Sequence, residues 1–516
     1  MLDLQQVQKD IKDSPLYSED LAPLPHERRT WTTFDIAALW VGVAVCIPTY
    51  LLASYMIRAG LSWWEAILIV IIGNVIITVP MVLNGRAGVK YGLPFPVLAR
   101  SAFGIRGVHV ATLLRGFVAC GWFGVQTWIG GLSIYAIACT LMGEPIATEL
   151  TAGQFASFIA FWLLNAFFIW RGTEQIRFLE ELSAPLLLLV GVLLIGWGWY
   201  NAGGFSAVLE QSQQLAQPSM RVYEARTSTG ERTATIALNL VRDHKSNLVR
   251  AHYYRLFVPN SAGGEDSTDW LPLVGGEEGR DIRSMMPSAN IPAIVDSLRP
   301  VRVQLKSGVN PPEAKFSSIY AAKSESLASQ KYYADTPLWQ LRLWDYILWL
   351  TVIVGFWATM AISIADVTRF TAHQRSQVVG QFAGLPTTMT LYSFVGIFVT
   401  CASIISFGDI LIPDDAPWNP VALLSRFENP VIVIVAQLTM LIATLSTNIA
   451  ANIIAPAFAL TNLLPKHLSF RSGGVLAALL GALLCPWWLM DSISGLLMFV
   501  SALLGPVLGV MMSDYF

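Results

Sequence analysis

The chain has 516 residues, 54% of them hydrophobic and 13% charged, with a formal net charge of −2. Soluble domains run at about 45–50% apolar and about 25% charged, so 33 basic and 35 acidic residues cannot coat a body this size. That excludes a soluble enzyme and a disordered chain, and the near-zero charge excludes a global basic field for nucleic acid; the composition is that of an all-α polytopic membrane protein.

In chain order, residues 1–33 are polar and charged and lack the apolar stretch and cleavage site of a signal peptide. A bilayer-spanning helix needs about 20 mostly apolar residues. Five such segments follow, near 34–57, 64–84, 108–142, 154–171 and 179–200. Span 1 carries Gly42 and Pro48 six residues apart, and a proline at 48 frees the carbonyl of Ala44. Span 3 carries Trp122 and Gln126, four apart on one helix face. An aromatic wall beside an amide suits a flat polar heterocycle; Trp122 alone could equally be a lipid-facing or core aromatic. Arg115, one turn into span 3, is placed to snorkel.

Residues 211–340 interrupt the membrane pattern: 28 of the 68 charges fall there, about 22% of that block against about 10% elsewhere. Alternating stretches at 233–241 and 301–303, separated by turn-rich pieces at 261–267 and 275–279, predict a small strand-containing domain. Five more spans follow near 341–366, 380–407, 430–463, 473–489 and 491–512. Span 6 has Gly355, Phe356 and Trp357 in mid-segment, a candidate second break. Glycine as a simple packing residue is the alternative there. Span 8 carries Ser446, Thr447, Asn448 and Asn452. Its hydroxyl pair beside freed carbonyls of span 1 would make an uncharged oxygen site fit for a sodium ion. Asn452 is placed to face the cavity of Gln126. Asp366, Glu180 and Glu181 lie near span ends and are read as wet, which weakens a proton relay. The five cysteines, Cys46, Cys120, Cys139, Cys401 and Cys485, lie in apolar segments without metal spacing.

Short loops rich in Lys and Arg alternate with poor ones, which places the N-terminus in the cytoplasm and block 211–340 outside. Five spans per half then lie in opposite orientations, the pattern of an inverted repeat with a midplane site.

The ordered motifs carry a resemblance. They are Arg29-Thr-Trp with Trp40-Val-Gly42, Gly92-Leu-Pro-Phe-Pro through Arg100, Trp122-Phe-Gly-Val-Gln126-Thr-Trp128, Gly355-Phe-Trp357 with Asp366-Val-Thr-Arg369, Trp418-Asn-Pro420, Ser446-Thr-Asn448 through Asn452, and Ser513-Asp-Tyr-Phe516. Together they resemble the nucleobase:cation symporter-1 family of hydantoin, allantoin, cytosine and uracil permeases. The resemblance implies a leucine-transporter-like 5+5 fold and alternating-access symport. It implies that Trp122 and Trp357 sandwich the substrate ring, that Gln126 and Asn452 hydrogen-bond its edge, and that Phe356 adds backbone contacts at the span 6 break. It implies that the carbonyls of Gly42, Val45 and Ala443 and the hydroxyls of Ser446 and Thr447 hold sodium. The family's hydantoin permease has a glutamine where this chain has Cys46, so that position bears on substrate identity. The family also has a short loop in place of block 211–340, and twelve spans where ten are counted here.

The expectation is therefore a sodium-coupled importer of a heterocycle and not an enzyme, monomeric as a transport unit, in the plasma (cell inner) membrane. Its parts are a cytoplasmic segment (1–33), a first repeat (34–210), an extracytoplasmic insertion (211–340) and a second repeat (341–516). No organic cofactor and no nucleic-acid partner are expected. Proton coupling is the main alternative, and a ligand-binding sensor without flux a lesser one.

Overall fold

The computed structural model describes residues 12, 14–147, 150–171, 173–211, 219–239, 251–273, 280–307, 314–407, 420–489 and 493–515. Helices α1 (Thr33–Ala44) and α2 (Ile47–Arg58) form one apolar pass bent by 59°. A capping box starts α1: the Thr32 hydroxyl accepts from the Asp35 N–H, and the Asp35 carboxylate accepts from the Thr32 N–H. The helix stops where Val45 leaves helical geometry (φ −79°, ψ 78°). Pro48 lies in the first turn of α2, where its missing N–H costs no hydrogen bond. The Ala44 carbonyl, expected to be free, instead accepts from the Cys46 N–H at 3.0 Å, because the bend folds that donor back onto it.

The chain continues through α3 (Trp63–Tyr91), α4 (Arg100–Met142), α5 (Ala152–Arg171) and α6 (Thr173–Asn201). After the inserted block come α7 (Leu338–Ser363), α8 (Gln374–Ser406), α9 (Pro430–Asn452), α10 (Ile454–Leu463), α11 (Phe470–Leu483) and α12 (Ile493–Tyr515). Among the described residues, seven segments are long and apolar enough to cross a membrane, or eight with the bent α1–α2 pair; α9 and α10 count as one. The two remaining expected passes fall short. Helix α11 has 14 residues, about 21 Å at about 1.5 Å per residue, against a hydrocarbon core of about 30 Å. The apolar stretch described in α6, Leu188–Asn201, is similarly short.

The break expected at 355–359 is not there. Helix α7 runs unbroken through Gly355, Phe356 and Trp357 to Ser363. A side chain at Gly355 would run into Ser501 of α12, so this glycine serves close packing. A real break falls at Ile453, three residues before Pro456, which cannot donate to the Asn452 carbonyl.

The helices form two groups. In one, α3 packs on α7 and α8, and α8 also packs on α1 and α2; a Cβ at Gly384 of α8 would lie only 2.9 Å from that of Trp40. In the other, α4 packs on α5, α9, α10 and α11. Helix α6 touches both, lying against α1, α8 and α9. Exposed Leu68, Ile72, Val75, Ile76 and Val79 give α3 an outward apolar face, as a lipid-facing helix requires.

The inserted block has its own core. Strands β1 (Ser219–Arg226), β2 (Arg232–Asn239), β6 (Arg280–Asp281) and β9 (Lys323–Glu325) form one sheet, ordered β6-β2-β1-β9. Strands β3 (Tyr253–Pro259), β4 (Glu265–Ser267), β5 (Leu271–Pro272), β7 (Arg302–Lys306) and β8 (Tyr320–Ala321) form the second, with β3 and β7 at its centre. Val222, Ile236, Leu256, Ile294, Val303 and Leu305 share a buried cluster separate from those of the membrane helices. The alternation along β3 and β7 puts Leu256 and Val303 inside and Arg255 and Arg302 outside. Residues 275–279 and 241 lie outside the described residues, as do Trp418, Asn419 and Phe516 of the motif set.

Candidate functional site

The bend at Val45–Cys46 leaves a cavity at the junction of the two helix groups. It is lined by Cys46 of the bend, Trp122 and Gln126 of α4, Phe356 and Trp357 of α7, and Asn452 of α9. All six candidate substrate residues thus face one space. Val43, Pro48, Thr359, Met360, Thr447 and Ala451 complete its wall; the sequence reading did not single out Val43, Thr359, Met360 or Ala451 for a site.

The cavity holds about 30 Å³, room for a water or two rather than a heterocycle. Aromatic rings close it. The Phe356 ring sits 5.8 Å from Trp122 and 4.8 Å from Trp357, edge-on to both, and Trp357 in turn meets Trp40 edge-on at 5.3 Å. The two candidate sandwiching indoles therefore share Phe356 as a neighbour. Its contribution here is the ring, and the backbone contact expected from a break is lost with the break.

Polar groups at this cavity are buried and incompletely used. The Gln126 amide oxygen and the Trp357 indole N–H have no partner among the described residues. Such groups cost free energy unless something pairs with them. Asn452 donates to the Asn448 side-chain oxygen at 3.1 Å. Asn448 donates to the Thr127 hydroxyl at 3.0 Å and to the Asn165 oxygen at 3.2 Å. This network links α4, α5 and α9 and fixes the direction in which Asn452 points. The Cys46 thiol lies 3.3 Å from the Thr49 hydroxyl.

The candidate cation residues meet beside the same bend. The Thr447 hydroxyl donates to the Gly42 carbonyl at 3.0 Å, joining α9 to α1. Ser446 is buried and accepts from the Ser183 hydroxyl of α6 at 3.0 Å. Val45 sits at the non-helical joint, and Ala443 lies one turn before Thr447 on α9, buried. The set is all oxygen and uncharged, which is the donor chemistry of a hard cation of low charge.

Two charged residues depart from expectation. Arg115 does not snorkel: it is 1% exposed and donates to the Thr359 carbonyl at 2.6 Å, the Ser363 hydroxyl at 3.2 Å and the Ala451 carbonyl at 3.2 Å. Asp366 is not wet: it is 1% exposed and accepts from the Phe95 N–H at 2.7 Å. Both line a second small cavity that shares Met360 and Ala451 with the first. The side chains of Glu180 and Glu181 lie outside the described residues. Cys485 is half-exposed, unlike the other four cysteines.

Comparison with known proteins gives the family. The profile of the family "Permease for cytosine/purines, uracil, thiamine, allantoin" matches residues 23–240 and 320–516. The chain belongs to this permease family. The chain is 32% identical to the purine-uracil permease NCS1 of Arabidopsis thaliana over 98% of its own length, and spans 64% of that protein's length. It is 29% identical to the allantoin permease of Bacillus subtilis, covering 97% of this chain and 78% of the relative. Its fold is similar to that of Mhp1, a nucleobase-cation-symport-1 family transporter solved in a closed conformation with bromovinylhydantoin bound (TM-score 0.63, 20% identity, 97% of this chain and 81% of the other). These relatives are permeases and transporters rather than enzymes, and this chain, with its several apolar helices, is a multi-pass membrane protein. The profile skips residues 241–319, the greater part of the inserted block.

Proposed function

We propose that this permease imports a nucleobase or a related heterocycle of the allantoin, hydantoin, uracil or cytosine type by sodium symport with alternating access. The observation that carries the reading is the Gln126 amide oxygen, without a partner among the described residues and buried in an aromatic cavity that also holds Asn452 and Trp357. A flat ring bearing N–H and C=O groups would satisfy these groups and stack on the Trp122 and Trp357 faces. To admit it, Phe356 must swing away from the indoles it now touches. Cys46 sits where a ring substituent would meet the bend in the first pass.

Sodium would be held by the carbonyls of Gly42, Val45 and Ala443 and the hydroxyls of Ser446 and Thr447. Its charge would draw the α1–α2 bend towards α9, bringing Cys46 and Asn452 to the same ligand. The transport unit is then the membrane part (34–210 and 341–516), a ten-pass inverted repeat with a cytoplasmic N-terminus in the plasma (cell inner) membrane, and block 211–340 lies outside. The membership of the two helix groups supports this: passes 1 and 2 lie in the same group as passes 6 and 7, and passes 3 and 4 in the same group as passes 8 and 9.

Buried Asp366 favours a second reading. Its second carboxylate oxygen has no partner among the described residues, and a buried carboxylate one cavity away from the substrate could carry a proton. Uptake of labelled uracil, cytosine, allantoin and hydantoin into proteoliposomes decides between the two. Sodium symport requires accumulation driven by an imposed sodium gradient at constant pH. Uptake driven by a pH gradient without sodium assigns the coupling to protons. No uptake or binding of any of these rings defeats the substrate class.

A further inference from the structure

We propose that Asn165 of α5 is a positioning residue for the substrate: acting through Asn448, it fixes the sense of the Asn452 amide, so that Asn452 meets the ring with its oxygen and the ring must answer with an N–H. This rests on the heterocycle reading above and adds what that ring must carry. A side-chain amide has two unlike ends, an accepting oxygen and a donating nitrogen. Which end points where follows from its partners.

The partners here leave one solution, because a backbone carbonyl only accepts. The Asn165 nitrogen donates to the Phe161 carbonyl at 2.8 Å, so the Asn165 oxygen is the end turned to Asn448. The Thr127 hydroxyl spends its one hydrogen on the Phe123 carbonyl at 2.7 Å, so it too meets Asn448 as an acceptor. Asn448 answers both with its nitrogen, at 3.2 Å and 3.0 Å, and the Phe123 carbonyl lies on the same side at 3.4 Å. The Asn448 oxygen is thereby left for Asn452, which donates to it at 3.1 Å. Thr127, Asn165 and Asn448 are completely buried, and reversing any one link would set like ends against each other. One N–H of Asn452 is therefore used inside the protein, and its oxygen is kept as an acceptor at the cavity it lines. The Gln126 oxygen, by contrast, has no partner among the described residues to hold it, and the Trp357 indole can only donate. A ring with an N–H beside a C=O, as in an imide or a ureide, matches the two groups whose sense is set. A ring that turns an unprotonated nitrogen to Asn452 opposes lone pair to lone pair.

The test uses the purified full chain, with binding of uracil, cytosine, allantoin and hydantoin measured by calorimetry in the presence of sodium. For the tightest-bound of the four rings, methylation of at least one ring N–H should weaken binding by about tenfold or more. Every singly N-methylated form binding as tightly as its parent would overturn the N–H requirement. Asn165→Leu should weaken binding of the parent ring by about tenfold. In an Asn452→Ala background it should change nothing further, because it acts through that amide. Thr127→Val should behave in the same way, and it carries the comparison if Asn165→Leu does not fold. Thr127→Ser, which keeps the hydroxyl, should bind like wild type. A general loss of structure would show equally in both backgrounds. Equal losses in both, or unchanged affinity in Asn165→Leu and Thr127→Val, would overturn the assignment while leaving the Gln126 and Asn452 contacts standing. A wild type that binds none of the four rings removes the substrate reading and this inference together.

Discussion

At the scale of single residues, the cavity depends on a few polar atoms placed in apolar surroundings. Gln126 offers an oxygen with no partner among the described residues, and Asn452 is held in place by Asn448. Gln126→Ala and Asn452→Ala should each weaken substrate binding by about 1–3 kcal/mol, about 5- to 150-fold in Kd. Calorimetry with the best-transported ring checks it, and unchanged affinity in both variants would remove the site assignment. The four-residue spacings 122/126 and 448/452 made these residues legible, because a helix turns such pairs to one face. Arg115 and Asp366 were not legible. A charge near a span end is wet or buried according to what packs over it, and the partners of Arg115 lie about 250 and 340 residues away along the chain. Sequence position alone carries no trace of the Thr359 and Ala451 carbonyls that take up the guanidinium.

At the scale of elements, neither proline nor glycine alone decides where a pass is interrupted. Pro48 and Pro456 each mark a real interruption, at Val45–Cys46 and at Ile453. Pro80, Pro386 and Pro506, by contrast, lie inside helices that continue past them, so a missing donor does not by itself end a helix. Glycine merely permits a break. In α7 the local need at Gly355 is room for Ser501, and the helix continues. This gives a prediction confined to the α7–α12 contact. Gly355→Ala should lower the thermal unfolding midpoint of the detergent-solubilised protein, since inserting a methyl group into a packed contact costs about 1–3 kcal/mol. Ser501→Gly should cost far less, and adding it to Gly355→Ala should return much of the lost midpoint. Additive losses in the double variant would mean that the two positions do not share a contact.

At the scale of the whole molecule, the chain combines two bodies with different solvents. The membrane body buries Trp40, Tyr50, Phe123 and Phe398 among its helices, while the inserted block closes its sheets over Val222, Ile236, Leu256 and Val303. The jump in charge density at 211–340 made that division readable from sequence. The sheet order was not readable, because β1 pairs in parallel with β9, about 100 residues further along. The break in the family match at 241–319 falls inside the second body. Where the chain returns into α7, Arg342 pairs with Glu65 of α3 at 2.7 Å. Replacing residues 219–325 with a flexible Gly/Ser linker should therefore leave the substrate cavity intact, because none of its lining residues comes from the block. The expected result is substrate affinity within about twofold of wild type, as for sites without shared partners, and unchanged sodium dependence of uptake. A large loss of affinity in a shortened chain that still folds and inserts would mean that the block contributes to binding across the junction, and the separation of the two bodies would not extend to function.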